Sequence, residues 1–385
     1  MSDFSKCRFG TKAIHAGADP DPSTGAIMTP IYQTSTFVQE SPGKHKGYAY
    51  ARGKNPTREA LQKNISALEN AKHCLCFSSG MGSMDAVIKL LKPGDEVITG
   101  DDLYGGSYRM FTKVFANYGI KFHFVNMTDA GNIKQYVNSN TRLIWAETPT
   151  NPTMQIIDIE ACAKIAKENK LILAVDNTFA SPYLQNPLEW GADIVMHSVT
   201  KYLGGHSDVI MGALVMNNDT LYEQLAFIHN SCGATPGPMD CFLVMRGIKT
   251  LHLRMERHCL NGKKIAEFLK THPRIDKIYW PGFPEHPNHS IAKKQMRDFG
   301  GMISFALNGA GLDETFKIAS SFKVFALAES LGGVESLINH PATMTHASIP
   351  KEERDKAGVT DNLLRLSVGV EDVEDLLEDL KQALA

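Results

Sequence analysis

Between about residues 57 and 217 the chain alternates short apolar runs with stretches of helical composition, and no other feature constrains its fold as tightly. The runs CLCFSS, EVIT, KFHFVN, RLIWAE, LILAVD, DIVMHS and GALVMN read as strands. The spacing predicts helices over about 57–70 and 81–91, with helical composition again near 105–118 and 158–169. Fully apolar strands separated by helices build a mostly parallel sheet covered on both faces. A ligand of such a sheet lies beyond the carboxyl ends of its strands.

On either side of this region the pattern differs. Residues 1–60 are rich in Gly, Pro, Thr and Tyr, as in AIMTPIYQTSTF and GYAYARGKNPTR, and cannot build a core of their own. They are expected to form an arm lying against a neighbouring subunit. From about Pro238 a long amphipathic stretch leads into a second, smaller α/β unit. Its strand candidates are RIDKIYW, GMISFALNG, FKVFALAES and LLRLSVG, with helices near 313–321 and 371–384. At 385 residues the chain is too long for one ordinary core, so we divide it into an arm (1–60), a large domain (61–250) and a smaller C-terminal domain (251–385).

The charge balance of 40 basic against 42 acidic residues gives no electrostatic footprint for nucleic acid or anionic lipid, so a small molecule is the expected partner. No run approaches a membrane span, and MSDFSKCRFGTKAIHAG has no export pattern. Seven cysteines without small-domain spacing read as thiols of a reducing compartment, the cytoplasm. Cys74 and Cys76 share one strand face, and with no second pair to complete a metal site they read as core.

Three places carry chemistry. In HSVTKYLGGHSD, Lys201 follows a strand and precedes Gly204 and Gly205, a setting that suits an amine condensing with an aldehyde, although any lysine also reads as a surface charge. In LILAVDNTFASPY, Asp176 ends an apolar strand, where a buried carboxylate wants a cationic partner such as a protonated ring nitrogen. The same aspartate equally fits a turn or helix cap. In CLCFSSGMGSMDAVIKLL, a strand, Ser79-Gly80-Met81 and a helix follow in order, so helix-start N–H groups face an anion, with hydroxyls available from Ser79, Ser198 and Thr200. Such a start also serves as a plain cap, and neither a dinucleotide fingerprint nor a P-loop is present. With no HExxH, the histidines His197, His206 and His340 read as packing or hydrogen-bonding residues. An amine, a buried acid and an anion site together are what pyridoxal phosphate needs.

The runs HSVTKYLGGHSDVIMG, AETPTNPT, AVDNTFASPY, YARGKNPTR, LAESLGGVESLINHPATMTHAS and LLRLSVGVEDVEDLLEDL resemble the pyridoxal-phosphate-dependent enzymes of cysteine and methionine metabolism, the trans-sulfuration enzymes, over nearly the whole chain. The resemblance implies an α/β fold of the aspartate-aminotransferase-like type (fold type I), with a mostly parallel seven-stranded sheet in the large domain and a smaller C-terminal α/β domain. It implies that Lys201 carries pyridoxal 5'-phosphate, that Asp176 faces the ring nitrogen, and that Asn151 lies on the side of the phenolic oxygen and the substrate. It assigns the phosphate to the backbone of Gly80 and Met81 and the hydroxyls of Ser198 and Thr200, and ring stacking with proton transfer to Tyr104. Arg365 matches the grip on the substrate α-carboxylate, with Ser330 nearby, and Tyr50 and Arg52 match residues that reach the phosphate of an adjacent subunit in a homotetramer built from two dimers.

The implied activity is α,γ-elimination of L-cystathionine to L-cysteine, 2-oxobutanoate and ammonia, with desulfhydration of cysteine to hydrogen sulfide as a side reaction. The alternative is γ-replacement on an O-acylated homoserine by cysteine, ahead of β-elimination of cystathionine or γ-elimination of methionine. Glu329 matches the acid of the γ-acting members, set to meet the far amino group of cystathionine. Ala49 replaces a carboxylate often found before the tyrosine of the arm, and DDLYGGS lacks the cysteine common in enzymes acting on methionine.

Overall fold

The computed structural model of the chain describes residue 4 and residues 6–385. The predicted apolar runs form β1 (His73–Phe77), β2 (Glu96–Gly100), β3 (Lys121–Val125), β4 (Thr141–Glu147), β5 (Ile172–Asp176), β6 (Ile194–Ser198) and β7 (Gly212–Met216). They take the order β1-β7-β6-β5-β4-β2-β3 in one seven-stranded sheet. β2 pairs in parallel with both β3 and β4, and β4 with β5. β7 runs antiparallel to both β1 and β6, because the connection 199–211 returns from β6 without the helix that a parallel crossover requires.

By compactness the chain divides into two units, Met1–Leu90 with Asp193–His252, and Leu91–Ala192 with Leu253–Ala385. In the first, the helix Pro56–Leu68 begins with proline after Asn55, whose side chain accepts the Thr57 and Arg58 amides. Asn64 on this helix donates to the carbonyls of Lys12, Ala13 and Ala16, at 3.1, 3.3 and 2.8 Å, which anchors the short helix Phe9–His15 to its own chain. Cys74 and Cys76 are both buried in β1.

In the second unit Ile98, Ile144, Leu173 and Val175 pack with Cys162 and Ile165 of the helix Ile159–Asn169, capped by Asp158. The same unit holds a five-stranded sheet of β8 (Ile275–Tyr279), β9 (Met302–Leu307), β10 (Ala326–Leu327), β11 (Leu337–Asn339) and β12 (Leu363–Ser367), in the order β10-β11-β12-β9-β8. It is antiparallel except where β10 meets β11. Phe305, Ile338, Leu364 and Leu366 face Leu376 and Leu380 of the helix Val373–Ala383. Each such leucine contributes about 1.5–3 kcal/mol by leaving water.

One expectation changes. The run FKVFALAES yields only the two residues of β10. The stretch after Pro238 is two helices, Pro238–Ile248 and Leu251–Thr271, interrupted where the amide and hydroxyl of Thr250 both turn back to the Gly247 carbonyl. Among the described residues no helix is long and apolar enough to cross a membrane.

Candidate active site

In the first unit, the helix Gly80–Ile88 starts directly after β1, and the extended Ser79 accepts the Gly82 amide on its hydroxyl at 2.9 Å. The Gly80 and Met81 N–H groups lie at the start of the helix, outside its internal ladder. The backbone here is pressed against β6 and β7. A Cβ on Gly80 would lie 3.2 Å from the Ser198 hydroxyl, and one on Gly212 would strike the Ser79 carbonyl at 2.3 Å. Glycine at both positions brings amides and hydroxyl into one cradle, with the positive helix end turned towards it.

Lys201 sits in the tight turn that leaves β6: its amide donates to the Ser198 carbonyl at 3.1 Å, and its carbonyl accepts the Gly205 amide at 2.8 Å. The Thr200 hydroxyl accepts the Met211 amide at 3.0 Å and lies 3.2 Å from the Met211 carbonyl, to which it donates. Its proton is therefore engaged by the turn itself. Half of Tyr50 is exposed, with the Arg52 guanidinium 5.4 Å over its ring and Arg52 Nε donating to Asn230 at 3.3 Å. Arg58, which sequence reasoning passed over, is buried beneath this turn and donates to the carbonyls of Ala51, Arg52 and Gly53 at 2.9, 3.0 and 2.7 Å.

In the second unit the carboxyl ends of β4 and β5 bring two buried acids side by side, Glu147 in register with Asp176. Asp176 accepts the amide and hydroxyl of Thr178 at 3.0 and 2.6 Å. Glu147 accepts the Tyr104 amide on Oε2 and the Asn151 amide on Oε1, each at 3.0 Å. Burial, and then the charge of Asp176, push the Glu147 carboxyl well above the usual range. Tyr104 leads into the helix Gly105–Arg109, and a Cβ on Gly106 would lie only 2.3 Å from its ring.

The Asn151 side chain accepts from Arg365 at 2.7 Å, and Arg365, almost fully buried, also donates to the Ser330 carbonyl at 3.0 Å. Ser330 adopts φ +95, outside the range most side chains favour, and Glu329 before it is exposed. His346 donates from Nε2 to the Asn151 carbonyl at 3.0 Å and accepts the Thr345 hydroxyl at 2.8 Å on Nδ1. Burial and the nearby Arg365 lower its pKa to about 4, so it is neutral at pH 7. Asp102, raised to about 6 by burial, accepts the hydroxyls of Thr150 and Thr153 and ties DDLYGG to TPTNPT.

Tyr104, Asn151, Arg365 and Ser330 are thus joined in one hydrogen-bonded set, with Glu147 and His346 as members that the sequence did not single out. Of the histidines set aside earlier, His197 bonds Glu69 at 2.6 Å, His206 the Gly204 carbonyl, and His340 Thr343 and the Asp361 carbonyl. Each unit by itself offers donor chemistry of the kind pyridoxal phosphate uses: the first has a helix start with hydroxyls and a lysine, and the second has a buried acid at a strand end, an exposed tyrosine and a buried arginine.

Comparison with known proteins agrees. The family described as Cys/Met metabolism PLP-dependent enzyme matches residues 10–385, and the chain belongs to that family. It is 52% identical to the cystathionine gamma-lyase of Dictyostelium discoideum, covering 100% of this chain and 99% of that one. It is 53% identical to the cystathionine beta-lyase of Coxiella burnetii over 98% of each. The crystal structure of metB from Corynebacterium glutamicum superposes with a TM-score of 0.97 at 48% identity, covering 100% of this chain and 99% of that one. The architecture is that of fold type I, the chain is a pyridoxal-phosphate-dependent enzyme, and its cofactor is pyridoxal 5'-phosphate held on a lysine. Its substrate is a small amino acid, in keeping with the family.

Proposed function

We propose that the chain performs trans-sulfuration chemistry as a cystathionine γ-lyase, converting L-cystathionine and water to L-cysteine, 2-oxobutanoate and ammonia. The observation that carries this reading is the sequence of an exposed acid, Glu329, followed by Ser330, whose carbonyl accepts the Arg365 guanidinium at 3.0 Å. An amino acid held by its α-carboxylate at Arg365 then has a negative group near for a second, distal ammonium. That need distinguishes cystathionine from shorter substrates. An acid at this position matches the γ-acting members of the family.

Lys201 would be the amine that holds the cofactor and, when free of it, the base that moves protons at the substrate's Cα and Cβ. Asp176 would keep a proton at the ring nitrogen, Gly80, Met81 and Ser198 would hold the phosphate, with Thr200 joining them once its hydroxyl leaves the Met211 carbonyl, and Tyr104 would cover the ring. Asn151 orients Arg365 and the phenolic-oxygen side. When bound, pyridoxal phosphate withdraws electrons from the substrate α-carbon.

Tyr50 and Arg52 serve the phosphate of a neighbouring chain, in a homotetramer of two dimers. A covered face on the first unit is in keeping with the apolar side chains it leaves to water, among them Ile27 at 85%, Val38 at 95% and Phe227 at 73% exposure.

Cystathionine supplied alone decides between eliminations: cysteine with 2-oxobutanoate marks γ-cleavage, whereas homocysteine with pyruvate marks the β-cleavage suggested by the Coxiella relative. Faster turnover of an O-acylated homoserine with cysteine would instead assign γ-replacement. Lys201→Ala is expected to abolish all three and Glu329→Ala to impair cystathionine selectively; equal loss across substrates would remove Glu329 from specificity.

A further inference from the structure

Tyr104 and Asn151 are separated in sequence, yet the two oxygens of one carboxyl, that of Glu147, accept both their amides at 3.0 Å. One side chain therefore spans the two residues, beside the tie that Asp102 makes between the same segments through Thr150 and Thr153. Glu147 ends β4 directly beside Asp176 at the end of β5, and paired residues of neighbouring strands project to the same face. Two backbone donors alone could also be served by two separate neutral acceptors. An acid buried next to another acid is a costly way to serve them, as the upward displacement of its titration reflects.

We propose that Glu147 is a positioning residue for the cofactor, fixing Tyr104 and Asn151 as one unit beside Asp176. The proposal rests on the reading of Tyr104 and Asn151 as residues that face the cofactor. Glutamine at this position presents one oxygen and one amino group, so one of the two amides would meet a donor in place of its acceptor. The misfit is local and leaves side-chain volume unchanged.

The test uses the holoenzyme without amino-acid substrate and reads the visible circular dichroism of the bound cofactor and its retention on dialysis. Glu147→Gln is expected to alter the band and to weaken retention roughly tenfold or more, with the melting temperature of the cofactor-free protein nearly unchanged. Glu147→Asp, which keeps the carboxyl but is one methylene shorter and reaches one amide, is expected to fall between. A Glu147→Gln protein with the parental band and retention overturns the proposal. Failure of both variants to fold also overturns it, since Glu147 would then be a structural residue.

Tyr104→Phe and Asn151→Ala run in parallel. If they change the band while Glu147→Gln does not, the proposal alone fails. If neither changes it, the placement of Tyr104 and Asn151 at the cofactor fails with it.

Discussion

A glycine beside Tyr104 illustrates how closely single residues are specified. A Cβ on Gly106 would stand 2.3 Å from Cε1 and 2.9 Å from Cζ of the tyrosine ring, so the ring must turn away if alanine is introduced. If Tyr104 covers the cofactor as proposed, Gly106→Ala is expected to lower kcat by about tenfold or more, because it displaces the ring. Steady-state rates check this, and an unchanged kcat would show that the ring's position is unimportant. The sequence suggested Lys201, Asp176 and the Ser79-Gly80-Met81 start because each joins a reactive type to a local turn. Tyr104 and Arg365 came through family resemblance. Glu147 escaped notice because a glutamate closing a strand looks like a solvent-facing turn residue. Only pairing of β4 with β5 sets it beside Asp176. His346 escaped for a related reason, its partner Asn151 being remote in sequence.

Among elements, the seven strands of the larger sheet were legible to within two residues, since apolar runs bounded by Gly, Asn and Asp leave little freedom of register. The run FKVFALAES was not, and the cause is one side chain. Asp379, in the helix Val373–Ala383, accepts the amides of Lys323, Val324 and Phe325 at 2.9, 2.8 and 3.0 Å. Those donors turn to a carboxylate, and pairing begins only at Ala326. Burial raises the Asp379 pKa, but the backbone donors outweigh it and the net direction is down. A carboxyl depressed in the folded state stabilises above its unfolded pKa, and the contribution disappears as pH falls through the folded value. Asp379→Asn is expected to cost about 1–3 kcal/mol at neutral pH, because an amide cannot accept all three N–H groups. The gap from the parent should narrow in acid. Urea midpoints across pH would show this, and a gap independent of pH would exclude the carboxylate as the cause.

For the whole molecule, the arm is the part whose role is settled only by assembly. Arg58 holds three successive carbonyls under Tyr50 and Arg52, so the turn is stiff before any partner arrives. If Tyr50 and Arg52 serve a neighbour's phosphate, chains carrying Arg52→Ala and chains carrying Lys201→Ala are each impaired. Their reassociated mixture should regain about a quarter of parental turnover, from sites pairing an intact arm with an intact lysine. No recovery after verified subunit exchange would place both residues in the same site.

The seven cysteines bear on how such an assembly endures its own chemistry. Cys74, Cys76, Cys162, Cys241 and Cys259 are buried, and burial raises the pKa of Cys162 and Cys259 to about 12. Little thiolate forms at Cys162 and Cys259 and the other buried cysteines are shielded from contact, so thiol–disulfide exchange with a small molecule that already carries a disulfide has only Cys7 and the exposed Cys232 within reach. Oxidative damage would thus begin at the surface and leave the interior untouched.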